Sequence, residues 1–210
     1  MKQKISMLIL TCVCLHSALS AAVSSPEATQ KEQTPSTGLD NGQKSQTPST
    51  NMETYVNKEK KYSLEYPSDW QKKDVQKLDI VLLSPAKSPT TPTHATMNAI
   101  SEAVGPVITL DEFYKESVSN LSSQLKDIHI ESSGDASLNG TPSKWVLYSH
   151  EMQGTKFKVL QYFIVAQENV YLLTFSALAD DFDSFRPTFN KIASSFRLIK
   201  DQLTSHDKQE

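Results

Sequence analysis

The sequence predicts an α+β domain, an antiparallel sheet with helical cover on both faces, and three observations predict it. Strand-period runs after Ile128 carry apolar groups on both sides, a strongly amphipathic helix precedes them, and a second apolar stripe at helical spacing follows. A sheet apolar on both faces needs cover on both, and helices are the available cover.

The elements read in order as follows. Lys61 to Tyr66 alternates as a strand, ended by Pro67 and the turn-like Ser68-Asp69 before Trp70. Asp79-Ile-Val-Leu-Leu-Ser84 is a short apolar run suited to a buried strand, and Pro85, Pro89 and Pro92 mark a loop after it. Ala95 to Val104 alternates again. Thr109 to Lys126 is the best helix: Leu110, Phe113, Tyr114, Val118, Leu121 and Leu125 share a stripe. Thr109 and Glu112 have capping-box spacing, with Ile108 and Phe113 placed for a hydrophobic staple.

After Ile128 a meander begins. Asn139-Gly140 is a hairpin turn signal; Lys144–His150, Lys156–Ala166 and Val170–Ala177 read as three strands, separated at Gly154 and at Glu168-Asn169. Phe157, Val159, Phe163 and Val165 fall on one face, and Leu160, Tyr162 and Ile164 on the other. Phe182, Phe185, Phe189, Ile192, Ala193 and Phe196 form the closing helix, whose start must lie near Pro187 unless that proline kinks it.

Ahead of this domain stand two other segments. Lys2 and Lys4, the apolar run Ile5 to Leu19 and the small residues Ser20-Ala21-Ala22 form a secretory signal over residues 1–22; cleavage after Ser20 or Ala22 suits the small-residue rule, and the latter is favoured. An uncleaved membrane anchor is the competing reading, weakened by Thr11, His16 and Ser17. A lipid anchor is disfavoured, because Cys12 and Cys14 lie inside the apolar run rather than after it. With the signal removed the chain has no cysteine, which excludes disulfides, thiolate nucleophiles and cysteine zinc sites. Loss of Lys2 and Lys4 takes the formal charge from -3 to -5.

Residues 23–52 are rich in Ser, Thr, Pro and Gln and hold a near repeat, Lys31-Glu-Gln-Thr-Pro-Ser-Thr37 and Lys44-Ser-Gln-Thr-Pro-Ser-Thr50. Such composition cannot offset chain entropy by burial, so a disordered linker is expected, then a domain over 53–200 and a polar tail over 201–210. The balance of 21 Lys+Arg against 24 Asp+Glu argues against nucleic acid as the partner, since phosphate binding needs surplus cations.

Several motifs together carry a resemblance. Tyr62-Ser-Leu-Glu-Tyr-Pro-Ser-Asp-Trp70, the Leu138-Asn-Gly140 turn, Val170-Tyr-Leu-Leu-Thr-Phe175 and Phe185 to Phe196 with its Ser194-Ser195-Phe196 ending appear in an order that resembles the PsbP-like family. The likeness covers about residues 54–200. It implies an antiparallel sheet sandwiched by helices, no catalysis, and an accessory or binding role, although fold does not fix function.

Catalytic signatures are missing. Gly134-Asp-Ala-Ser-Leu-Asn-Gly140 places a serine between glycines at the wrong spacing for a nucleophile elbow, and no Gly-x-Gly-x-x-Gly, P-loop or His-Glu-x-x-His occurs. Outside the signal, four histidines remain: His94, His129, His150 and His206. His129 and Glu131 alternate on one strand face, and His150 joins them as a candidate metal ligand only if its strand is the neighbour; zinc wants three or four convergent ligands. Solvated strand and loop histidines are the simpler reading. Asp180, Asp181 and Asp183 read as a helix cap rather than a calcium loop. Tyr62, Tyr66, Trp70, Trp145, Tyr148, Tyr162 and Tyr171 read as packing rather than as a ligand cleft.

The expectation is therefore an exported, non-enzymatic module acting through an unidentified protein partner in the cell envelope. It needs no cofactor and no nucleic acid, and meets the membrane only if the signal is uncleaved. The alternative is a small-ligand or metal-binding envelope protein using a cleft between the sheet and the loop Ser84 to Ala95.

Overall fold

The structure, a computed structural model, describes residues 51–86, 93–105, 108–125 and 127–200. The signal segment 1–22, all of the linker but its last two residues, and the tail 201–210 lie outside them. Ten strands and two helices follow in the described chain: β1 (Met52–Asn57), β2 (Tyr62–Pro67), β3 (Gln71–Lys73), β4 (Ile80–Leu83), β5 (Thr96–Ala103), α1 (Leu110–Gln124), β6 (His129–Leu138), β7 (Thr141–Met152), β8 (Thr155–Ala166), β9 (Asn169–Leu178), α2 (Phe182–Ser194) and β10 (Arg197–Leu198).

The large sheet has seven strands in the order β3-β4-β5-β9-β8-β7-β6, every neighbour antiparallel. Its centre is β9, flanked by β5 and β8, and all but the ends of β9 are buried. Turns set the registers. Asn139 and Gly140 both have positive φ (49° and 83°) and close a two-residue hairpin that pairs Leu138 with Thr141. The last turn falls at Gln167-Glu168, one residue earlier than expected, because both take the left-handed conformation and pair Ala166 with Asn169. The meander has four strands rather than three, with β6 as the first.

The two faces carry different cores. Ile100, Val146, Tyr148, Val159, Phe163 and Leu172 pack beneath Phe113 and Leu121 of α1. On the opposite face Leu82, Met97, Leu147, Leu160, Leu173 and Phe175 pack against Phe182, Phe189 and Ile192 of α2. The α1 N-terminus has the anticipated capping box: Thr109 Oγ1 accepts from the Glu112 N–H at 3.2 Å, and Glu112 Oε2 accepts from the Thr109 N–H at 2.9 Å. Thr109→Ala should cost about 1 kcal/mol of stability, read as a lowered denaturation midpoint with an unchanged slope.

Helical cover is only part of the α2 face. Seven strands at ~4.8 Å spacing are wider than a helix of ~10 Å diameter can cover. A three-stranded sheet, β1-β2-β10, completes the layer, contributing Tyr62, Leu64 and Tyr66 to the same core. Strand β1 has no counterpart among the expected elements, and it starts at Met52, inside the expected linker. Pro187 is also not at the helix start; it lies inside α2, removing the N–H that would reach the Asp183 carbonyl. Asp181 does sit at the N-cap position, but its side chain makes no cap bond; its carbonyl accepts from the Ser184 N–H at 3.0 Å and the Ser184 hydroxyl at 2.6 Å.

The Ser194-Ser195-Phe196 ending is a stitch between layers. Ser195 Oγ donates to the Ile192 carbonyl at 2.6 Å and accepts from the Glu65 N–H at 2.7 Å, fixing α2 to β2. Phe196 is fully buried, stacked on Tyr62 with ring centroids 5.6 Å apart.

Candidate functional site

The three metal candidates are not brought together. Counting back from the Asn139-Gly140 turn, an uninterrupted register would set His129 directly opposite His150. A bulge between Ile130 and Ser132 shifts the pairing, so that His129 lies opposite Ser149 instead. His129 is then on the α2 face of the sheet. His150 is on the α1 face, 3% exposed and between Tyr148 and Phe157, with ring centroids 6.1 and 6.0 Å away. Burial holds the His150 imidazole below its usual pKa, favouring the neutral ring. Glu131 faces Lys158, which approaches to 3.1 Å. Among the described residues no three His, Cys, Asp or Glu side chains converge on one point. His94 contacts the Ser84 carbonyl, and Ser84 Oγ accepts from the Ala95 N–H at 2.9 Å, so the neck of the 84–95 loop is pinned. Residues 87–92 and His206 lie outside the described residues.

The group with the most unusual environment belongs to none of the expected sites. Asp79 heads β4, where the large and small sheets meet. Its Oδ2 accepts from the Ser101 hydroxyl at 2.6 Å and from the Tyr62 hydroxyl at 3.0 Å, while its carbonyl accepts from the Tyr55 hydroxyl at 2.7 Å. Tyr171 completes the cluster by donating to the Lys60 carbonyl at 3.0 Å, its ring 5.5 Å from that of Tyr62. Burial raises the Asp79 pKa above the ordinary 3.8, only partly opposed by the Ser101 and Tyr62 hydrogen bonds and by Lys60. Burial, then the Asp79 charge, pushes the Tyr62 phenol far above its ordinary value, so it remains a donor. An acid at the head of an otherwise apolar run was the available signal. Its partners lie 17 and 22 residues away, beyond local reading.

A second polar feature crosses the α1 face. Asn98, Thr174 and Gln161 are register neighbours on β5, β9 and β8, all buried, and Gln161 Nε2 donates to Thr174 Oγ1 at 3.1 Å. At the outer end of that face Lys144 bridges two carboxylates, Asp135 at 2.6 Å and Asp111 at 2.9 Å, and lies over the Tyr114 ring at 5.7 Å. Both acids hold the Lys144 ammonium protonated, Asp135 more strongly. The seven aromatics that could have lined a cleft are mostly core: Tyr62, Tyr66, Trp70, Tyr148 and Tyr171 are buried, whereas Trp145 and Tyr162 are partly exposed.

An antiparallel sheet covered by α1 on one face, and by α2 with a small sheet on the other, defines an α+β sandwich. The family model described as PsbP-like protein matches residues 11–198, and the chain belongs to that family. Solved structures agree on the fold. Cyanobacterial PsbP (CyanoP) from Synechocystis is 16% identical, with a TM-score of 0.55 over 77% of this chain and 98% of that one. LpqN of Mycobacterium tuberculosis, described as involved in cell envelope biogenesis, is 18% identical with a TM-score of 0.55 over 66% of this chain and 83% of its own. The Saccharomyces cerevisiae Ran-binding protein Mog1p is 8% identical, with a TM-score of 0.50 over 71% of this chain and 96% of that one. No curated protein sequence matches the chain. No helix among the described residues is long and apolar enough to cross a membrane.

Proposed function

We infer that the protein is an exported, non-enzymatic accessory or assembly module of the cell envelope that works through protein contacts. The observation that carries this reading is the use made of Asp79. A buried carboxylate with a raised pKa is a catalytic candidate in general. Here its Oδ2 is engaged by Tyr62 and Ser101, and the cluster joins the small sheet to the large one. Oδ2 is thus committed to joining the two sheets, which supports a reading in which Asp79 is architectural and the surfaces do the work. Membership of the PsbP-like family supports the same reading, as does the description of LpqN as a protein of envelope biogenesis. The N-terminal pattern of Lys2, Lys4 and an apolar run supports export.

Two measurements test this. Crosslinking of the mature chain in its native envelope, followed by mass spectrometry, should capture one dominant protein partner. A melting temperature raised instead by divalent metals or a small-molecule panel would favour ligand binding, because a ligand of the native state must stabilise it. The mature chain should begin near Val23, and deletion of 23–50 should leave the unfolding transition unchanged; an intact Met1 in the native cell would remove the export reading.

A further inference from the structure

Strand β6 ends the large sheet, and among the described residues nothing pairs with its outer side. Edge strands are templates for another strand unless bulges, charges or prolines blunt them. The bulge between Ile130 and Ser132 blunts the first part of β6. From Ser132 to Leu138 the register with β7 is regular, and the side chains are small: Ser132, Ser133, Gly134, Asp135, Ala136 and Ser137. The outward-facing N–H and C=O groups of alternate residues along this stretch are therefore open to a further strand.

Both faces of this edge carry a recognition element. On the α2 face Trp145 stands opposite Gly134, and its indole lies over that glycine, with Nε1 3.2 Å from where a Cβ would sit. The partly exposed ring thus reaches toward the open side of the sheet, with little room for a side chain at position 134. On the α1 face Asp135 and Asp111, each 83% exposed, share Lys144. One lysine between two carboxylates leaves a negative charge beside the edge.

The geometry points to the β6 edge from Ser132 to Leu138 as the seat of an extended basic segment of a partner protein, added as a further strand. One apolar side chain of that segment rests on Trp145, and the adjacent lysine or arginine faces Asp135 and Asp111. Main-chain hydrogen bonds supply affinity in this mode, and alternate side chains supply specificity. A tryptophan at the seat suits a binding hot spot. Charge decides against a second copy of the chain, since self-pairing would bring two Asp135–Asp111 pairs together, and like charges facing one another destabilise a strand pair. The inference rests on the protein-contact reading and names its surface.

The test uses isotope-labelled mature chain and two synthetic seven-residue peptides, one alternating valine with lysine and one alternating valine with glutamate. The valine–lysine peptide should saturably shift the backbone amides of 132–138 and the Trp145 indole N–H. The glutamate peptide should bind about tenfold more weakly, as charge complementarity requires. Asp135→Lys, at an exposed position, should reverse that order, and Asp135→Asn should reduce it. Equal binding of both peptides, shifts centred on another strand, or concentration-dependent broadening of β6 without peptide would each overturn the proposal; the last would assign the edge to a second copy. A captured envelope partner whose crosslinks avoid β6 would overturn this surface and leave the protein-contact reading standing.

Discussion

Trp70→Ala is expected to lower the free energy of unfolding by about 3–5 kcal/mol, the usual cost of truncating a large buried aromatic side chain. The chain leaves β2 at Pro67, and the Trp70 N–H closes a turn on the Pro67 carbonyl at 2.9 Å, which drops the indole back into the α2-side core. There it is 7% exposed and meets Phe189 edge-on, with ring centroids 6.3 Å apart. Phe189 in turn packs against Phe175, Phe182 and Phe185, so a cavity at Trp70 loosens α2 at its most aromatic turn. With only about 5–15 kcal/mol of net stability in a domain of this kind, the variant should be near unfolding at ambient temperature. Trp145→Ala should cost distinctly less, because its ring packs only at the margin of the core and stays partly exposed over Gly134. Chemical denaturation of the two variants decides the order, and a near-wild-type midpoint for Trp70→Ala would take that residue out of the core.

The elements legible in the sequence are those whose burial repeats along the chain. Strand β8 alternates between two cores, so Val159 and Phe163 face α1 while Leu160 and Ile164 face α2, and a period of two is visible by eye. Helix α1 announces itself because its capping box and stripe are local. Strands β1 and β3 do not, for opposite reasons. In β1 only Tyr55 packs on the core, and pairing with β2 holds the rest. In β3 all three residues, Gln71, Lys72 and Lys73, are exposed, so backbone pairing with β4 is its only visible support. Some long-range geometry is still within reach. The two-residue turn at Asn139-Gly140 fixes Gly134 opposite Trp145 by counting alone. The same count misplaces His129, because nothing in His-Ile-Glu-Ser announces a bulge, and one extra residue reverses which face every earlier side chain meets.

Asp79 provides the second large effect and a pH signature. Asp79→Ala should cost about 2–4 kcal/mol, because the Tyr62 and Ser101 hydroxyls would lose their acceptor and an orphaned buried donor costs ~1–3 kcal/mol. Tyr62 is 1% exposed, so water cannot readily replace the lost oxygen. Asp79→Asn keeps a carbonyl oxygen where Oδ2 accepts both bonds, and should cost under about 1 kcal/mol at neutral pH. The two variants therefore separate the acceptor from the charge. The sign of the pH effect follows from burial, which raises the folded-state pKa of Asp79 above the ordinary 3.8. The folded protein holds this proton more tightly than the unfolded chain does. Its contribution to stability is thus fully present below pH 3.8 and is lost as pH rises through the raised value. Asp79→Asn does not titrate, so the stability of the native protein relative to this variant should fall as pH climbs from 3.8 toward neutrality. Urea titrations of both proteins across that interval measure the difference directly. A relative stability that rises with pH would mean that the hydroxyls and Lys60 outweigh burial, and that Asp79 is held as a stabilised anion between the two sheets.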